Sequence, residues 1–329
     1  MTRRDFVKSS FGLSGFLAAG LLPSTAFEGN PMRPWARNPF LKGGKPVLVA
    51  VEGDSLDRML RKGIEALGGW DLLLRVADQA VLKPNFVTED RYPVTTSKDT
   101  VFTVWEQMRQ GGMKRVSIFE AQGSRLAKVQ SPERNMKALG ILTEARTRRC
   151  ETIAGDLFAS REYVPVRNPQ WVTPEPVLVH ERLRHAGVVV NLPTLKRHAL
   201  AGMSCALKNQ FGSVMMAERA KAHRFHSEGD RASFERRLVE FADAVRPELT
   251  IVDARSLLTR TGPVRGEVVQ SVNRLIVCGD IVAADAYCAQ LLADHDSTFL
   301  PERMEDQLRY AASLGLGTRD LGAVEILEV

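Results

Sequence analysis

The sequence predicts an α/β protein with a mostly parallel sheet and helices on both faces, built as one domain or as two closely joined subdomains. Three observations carry that reading. Short β-branched runs alternate with amphipathic helical patterns from residue 47 onward, the rhythm of strand–helix–strand units. Hydrophobic residues make up 44% of the 329-residue chain, ample for a large core. No internal repeat or low-complexity tract interrupts the pattern.

Taken in order, strands are expected at Val47–Val51, Ala80–Leu82, Val116–Phe119, Val177–Val179, Val188–Asn191, Thr250–Val252, Arg274–Val277 and Val324–Leu327. Helices are expected at Ser55–Leu67, Asp99–Gln110, Pro132–Leu139, Arg231–Val245, Ile281–Leu292 and Glu302–Leu314. Asp280 stands at a strand-to-helix junction, where a carboxylate is first of all a cap. Asp285, one turn further in, is expected to be buried and paired.

Ahead of this domain, Thr2-Arg3-Arg4-Asp5-Phe6-Val7-Lys8 precedes a weakly apolar stretch, Phe11 to Leu22. That arrangement reads as a twin-arginine (Tat) signal peptide. The apolar run is too short for a permanent membrane anchor, which needs roughly 20 residues, and Ser24-Thr25-Ala26 offers a cleavage site near Ala26. The expected organisation is a leader over residues 1–26, a linker over 27–46 rich in Pro and Gly, and the α/β domain over 47–329. The expected partner during export is the Tat translocase, and the expected compartment is the periplasm.

The formal charge of +6 falls to +4 once the leader's three basic residues and one acidic residue are removed. Basic residues are scattered among acids, with Arg146, Arg148 and Arg149 the densest run, so no nucleic-acid partner is expected. Cys150, Cys205, Cys278 and Cys288 are widely spaced and form no C-x-x-C, which excludes an iron–sulfur cluster or zinc ribbon built in sequence. Their spacing leaves disulfide pairing open. The loop Gly262-Pro263-Val264-Arg265-Gly266 is a turn without the pattern of a nucleotide-binding motif.

In open α/β sheets ligands bind beyond the carboxyl ends of the strands. Four such exits are polar: Lys83-Pro84-Asn85, Glu120, Asn191 leading to Lys196, and Asp253. Together they suggest one converging site for a small polar or anionic ligand. The richest segment, Asn191 to His226, holds Lys196, His198, Lys208, Lys221, His223 and His226. The spacing of His223 and His226 suits a metal pair on one helix face or tight loop, and a charged surface helix would carry the same residues. Lys208 lies in an otherwise apolar stretch, where burial lowers a lysine's pKa and makes it a nucleophile or a cofactor anchor. His198, with an ordinary pKa of about 6.5, is the expected acid or base.

These motifs, together with Gly202 to Gly212, Gly262-Pro263, Gly266 and Asp280…Ala284-Asp285-Ala286, resemble the family called domain of unknown function 362, from about Val47 to Ala293. Many members of that family resemble this chain in carrying a Tat leader. Others are fused to ferredoxin-like cluster domains, which have no counterpart in this sequence.

A more distant resemblance is to the lactate racemases, and it implies more chemistry. There a catalytic His precedes by ten positions a lysine that anchors a nickel pincer cofactor, as His198 precedes Lys208 here. A nickel-ligand His follows that lysine by some sixteen residues, and here His223 and His226 follow Lys208 by fifteen and eighteen. Ser204-Cys205-Ala206 departs from the racemases' glycines, and their other catalytic histidine has no obvious match.

The expected function is thus a periplasmic metal- or cofactor-dependent isomerase or oxidoreductase. Lys83, Asn85, Glu120, Asn191, Lys196 and Asp253 would surround a small polar or anionic substrate; His198, Lys208 and Lys196 would carry the chemistry; His223 and His226 would hold a divalent transition metal. A hydroxy acid undergoing proton or hydride transfer is what the racemase resemblance implies. The alternative is a non-catalytic anion-binding protein or an accessory to a redox complex.

Overall fold

The computed structural model describes residues 38–121, 131–155 and 160–329; the expected leader lies outside them. The strands are β1 (Leu41–Lys42), β2 (Lys45–Glu52), β3 (Gln79–Pro84), β4 (Arg115–Ala121), β5 (Glu151–Gly155), β6 (Tyr163–Val166), β7 (Val177–His180), β8 (Val188–Leu192), β9 (Thr194–His198), β10 (Gly202–Ser204), β11 (Leu249–Thr259), β12 (Glu267–Val269), β13 (Arg274–Cys278) and β14 (Glu325–Glu328). The helices are α1 (Leu56–Leu67), α2 (Asp71–Leu74), α3 (Lys98–Gln110), α4 (Pro132–Ala138), α5 (Ile141–Arg148), α6 (Glu181–Arg184), α7 (Ala206–Asn209), α8 (Met216–Ser227), α9 (Arg231–Val245), α10 (Ile281–His295) and α11 (Glu305–Ser313).

The main sheet runs in the order β1-β2-β13-β11-β8-β3-β4-β5, with β14 beside β2 and the small strands β9, β10 and β12 attached through β11. Pairing is parallel from β11 through β8, β3 and β4 to β5, while β13 runs antiparallel to both of its neighbours. This is the mixed, mostly parallel α/β sheet that the alternation of patterns predicts.

The central strands contribute to two cores because side chains alternate across the sheet. Val47, Val49 and Val51 face one cluster, together with Leu60, Ile64, Val101 and Met108 of α1 and α3. Leu48 and Ala50 face the other, with Phe234, Leu238, Val282 and Leu308 of α9, α10 and α11. Strands covered on both faces must be apolar at every position, and so they appear as unbroken β-branched runs. Gly63 lets α1 approach closely, since a Cβ there would meet Val277 at 2.9 Å and Val51 at 3.0 Å.

Side chains close the helix starts as their sequence suggests. Ser97, Ser131 and Asp230 accept from the backbone N–H of Thr100, Arg134 and Ser233, and Asp280 accepts from Val282 and Ala283. Such caps are each worth about 1 kcal/mol. Asp285 is buried and accepts from the backbone N–H groups of Ala206 (2.6 Å) and Leu207 (3.1 Å), so it fixes the start of α7. The end of the expected linker joins the fold, with Leu41–Lys42 paired to Lys45 and Pro46 and with Phe40 in the core. All four cysteines are free thiols.

Candidate functional site

The exits of β3 and β4, the hairpin β9–β10, and helices α7 and α8 enclose a cavity of about 310 Å³ at the carboxyl end of the parallel strands. Lys83, Asn85, Glu120, Lys196, His198, Lys208 and His223, seven of the ten candidates, line it. Leu200, Phe211, Met216 and Val264 supply an apolar portion.

Lys83 and Glu120 come from neighbouring strands and form a buried ion pair, Nζ to Oε1 at 2.7 Å. Lys83 Nζ also donates to the Pro84 carbonyl (2.6 Å), and Glu120 accepts from the backbone N–H of Phe86 (2.6 Å) and Ala121 (3.0 Å). Desolvation lowers the Lys83 pKa while Glu120 opposes the shift. Gly212 lies directly against the pair: a Cβ there would sit 2.8 Å from Glu120 Oε1 and 2.9 Å from Lys83 Nζ.

Lys196 is fully buried and donates to the Val94 carbonyl. Burial pushes its pKa down to about 7, against a smaller opposing pull from Asp90. Lys208 extends from α7 over the Phe211 ring, 3.8 Å from its centroid. Burial, followed by Lys196, Arg219 and Lys83, brings its pKa down to about 7 as well. Amines that titrate near neutrality in a cavity are suited to proton transfer or nucleophilic attack.

His198 accepts from the backbone N–H of Leu200 and of Ala201, both at Nδ1 and both at 3.2 Å. Burial, then Lys208 and Lys196, holds its pKa well below the ordinary value, so the ring is neutral. A neutral imidazole that accepts at Nδ1 carries its proton on Nε2. Of the two roles expected for His198, this geometry supports the hydrogen-bond donor.

Helix α8 presents Met216, Arg219 and His223 to the cavity at helical spacing. Burial, then Lys208 and Arg219, pushes the His223 pKa down to about 4, which leaves its lone pair available for coordination. His226, a turn further on, does not line the cavity; its ring lies 5.6 Å from that of Phe234. Among the described residues no group of three or more His, Cys, Asp or Glu side chains could hold a metal ion. Arg219 was not among the sequence candidates. Its position four residues before His223 on the same helix face was the available signal.

Two further candidates are placed elsewhere. The Asn191 amide is buried and accepts from Asn209 and Gln210 at 2.8 Å each, while donating to the Ala206 carbonyl, so it braces the Lys208 segment from behind. Asp253 is fully buried and accepts from Tyr92, Thr100 and Arg255, with no face on the cavity. Asn191 lies within β8 and Asp253 within β11, which runs on past the strand end expected at Val252, and both side chains point into the packing.

Comparison with known proteins agrees with this architecture. The chain is 29% identical over 249 residues to the thylakoid-associated protein sll1697 of Synechocystis, covering 74% of this chain and 72% of that one. Its fold is similar to that of the lactate racemase apoprotein from Thermoanaerobacterium thermosaccharolyticum, with a TM-score of 0.51 at 11% identity over 78% of this chain. The chain spans 58% of that protein's length. Residues 80–290 match the family described as Domain of unknown function (DUF362), and the chain belongs to that family.

Proposed function

We propose that this protein is an enzyme that moves a proton or hydride on a small anionic substrate, a hydroxy acid being the best candidate. The observation that carries the reading is the pair Lys196 and Lys208, both brought to about 7 in one cavity that also holds the neutral imidazole of His198. A pure anion clamp is best served by permanent cations, and burying two lysines until they lose charge near pH 7 weakens it. The same placement improves a proton acceptor, whose pKa should lie near the working pH. In this scheme Arg219 and whichever lysine is charged bind the anionic group. The neutral lysine takes the proton, and His198 donates from Nε2 to an oxygen that gains charge.

The racemase-like fold raises a nickel pincer cofactor, and the donor set is compatible with it in part. Lys208 and the neutral His223 both lie against the Phe211 ring and line the same cavity. Lys208 would hold the organic part and His223 the metal, whereas His226 lies off the cavity. When bound, such a group supplies a hydride acceptor. A metal held by side chains alone finds no ligand set among the described residues.

We also propose that residues 1–26 are a Tat leader and that the protein works in the periplasm; the Arg3-Arg4 motif and the short apolar run support this.

The test is racemisation of L-lactate in D2O, followed by chiral analysis and NMR, with protein purified from its own host; deuterium at the α-carbon marks proton transfer, and retained hydrogen marks hydride transfer. Racemisation is expected, with Lys208→Ala abolishing it and His198→Ala slowing it by roughly 10²-fold while lactate binding is kept. Binding without racemisation, lost in Lys196→Ala and indifferent to His198→Ala, would instead establish the non-catalytic anion binder. Intact mass under native and denaturing conditions tests the cofactor: an adduct on Lys208 with stoichiometric metal supports it, and a bare chain in both removes it.

A further inference from the structure

At the opposite end of the sheet, the amino ends of β3, β4 and β8 border a groove of about 440 Å³. Among the described residues lining it, six are Lys or Arg and one is His, against the single carboxylate of Glu151.

Local acids account for part of this charge. Arg182 binds Glu151 through two bonds of 2.6 and 2.7 Å, Lys114 pairs with Asp78 at 2.9 Å, and Arg148 pairs with Glu106 and Glu144. Three arginines are different. Arg109 donates to the carbonyls of Met113 and Lys114, Arg115 donates to the Gln79 amide at 2.8 Å, and Arg149 has no acid partner among the described residues.

These three come from separate elements: the last turn of α3, the start of β4, and the residue after α5. Arg149 holds a left-handed backbone, φ 55°, at a helix end where glycine is the usual residue. The Trp105 indole and the strand ends Ala80, Val81 and Val116 give the groove an apolar floor.

We propose that this groove is a second ligand site, distinct from the cavity, that binds a phosphate-bearing ligand through Arg109, Arg115 and Arg149. Guanidinium forks match the several oxygens of a phosphate group better than they match a lone carboxylate, and arginine keeps its charge at any physiological pH. The groove has room for more than one phosphate, and its floor accepts an apolar or aromatic portion. A soluble phosphorylated metabolite and a lipid headgroup share this chemistry.

The experiment measures binding of inorganic pyrophosphate to the full chain by calorimetry, together with co-sedimentation with phosphatidylglycerol vesicles, using phosphatidylcholine vesicles as control. All of it is done in a Lys196→Ala/Lys208→Ala background, which weakens the cavity's own anion affinity, and dependence on the groove's arginines separates the two sites. Saturable binding of one pyrophosphate is expected, weakened about tenfold or more by Arg115→Gln and by Arg149→Gly. If the vesicles bind no better than the control, the ligand is soluble. If phosphatidylglycerol binding shows the same arginine dependence and pyrophosphate competes, it is a headgroup. Pyrophosphate binding that is absent, or indifferent to both substitutions, overturns the proposal and leaves an ordinary solvated basic face.

Discussion

The two ends of one sheet both collect positive charge, and they hold it in opposite physical states. At the carboxyl end the cations are buried: Lys83 and Lys196 are each 1% exposed, and two of the three lysines titrate near 7. At the amino end Arg109, Arg115 and Arg149 are exposed to water, and their charge is permanent. A count of basic residues does not separate the two regions, but desolvation does. It turns lysines into groups that can exchange a proton, while solvated arginines can only attract.

The largest expected effect tests whether the buried end depends on its internal pairing. Glu120→Ala leaves the Lys83 ammonium without its partner and removes the acceptor of two backbone N–H groups. A loss of about 3–5 kcal/mol is expected, read from urea unfolding. Arg182→Ala, which breaks the exposed pair with Glu151 at the other end, should cost no more than about 1 kcal/mol. Equal losses from the two would break the comparison.

Gly212→Ala probes the same pair sterically. Its Cβ would lie under 3 Å from both charged atoms, and about 1–3 kcal/mol of destabilisation is expected from overpacking. Since the methyl group must displace Lys83 or Glu120, lactate binding in the cavity should weaken alongside. Stability and binding both unchanged would show that the pair can move aside freely.

Much of this was legible in the sequence, for reasons that particular residues make plain. Val47–Val51 and Val188–Val190 announce strands because both of their faces are buried. Thr194–His198 did not, since Lys196, Arg197 and His198 make a polar run that becomes a strand only by pairing with β10 and β11. Lys83, Glu120, Lys196, His198, Lys208 and His223 could be nominated as strand exits or as polar residues in an apolar segment. Asn191 and Asp253 have the same local signature. What turns Asp253 inward is Tyr92 and Thr100, distant in sequence and invisible to any local pattern.

The pH response should separate the two ends, because the buried lysines titrate near neutrality and the arginines do not. Lys196 and Lys208 titrate near 7 when folded and near 10.4 when unfolded. Between those values the unfolded chain holds protons that the folded one has lost, so stability rises with pH. Fully buried Lys196 should contribute on the order of 1 kcal/mol per pH unit, and half-buried Lys208 less. Urea midpoints should therefore climb from pH 7 to 10 in the wild type and climb less in Lys196→Met. Anion binding in the cavity needs the ammonium form and should fall over the same range. A flat stability profile would mean that the lysines keep their charge, and the contrast between the two ends would vanish.

The smallest effect is the most discriminating, because stability and binding should move in different directions. Arg149 closes α5 at φ 55°, a conformation that costs a side-chain-bearing residue about 1–2 kcal/mol and glycine almost nothing. Glycine also gives the unfolded chain more freedom, which offsets part of that relief. Arg149→Gly should therefore leave unfolding free energy unchanged or raise it by up to about 1 kcal/mol, while weakening pyrophosphate at the groove. Should Arg149→Gly instead destabilise the fold with pyrophosphate binding intact, the guanidinium serves structure, and the amino end holds charge for solubility alone.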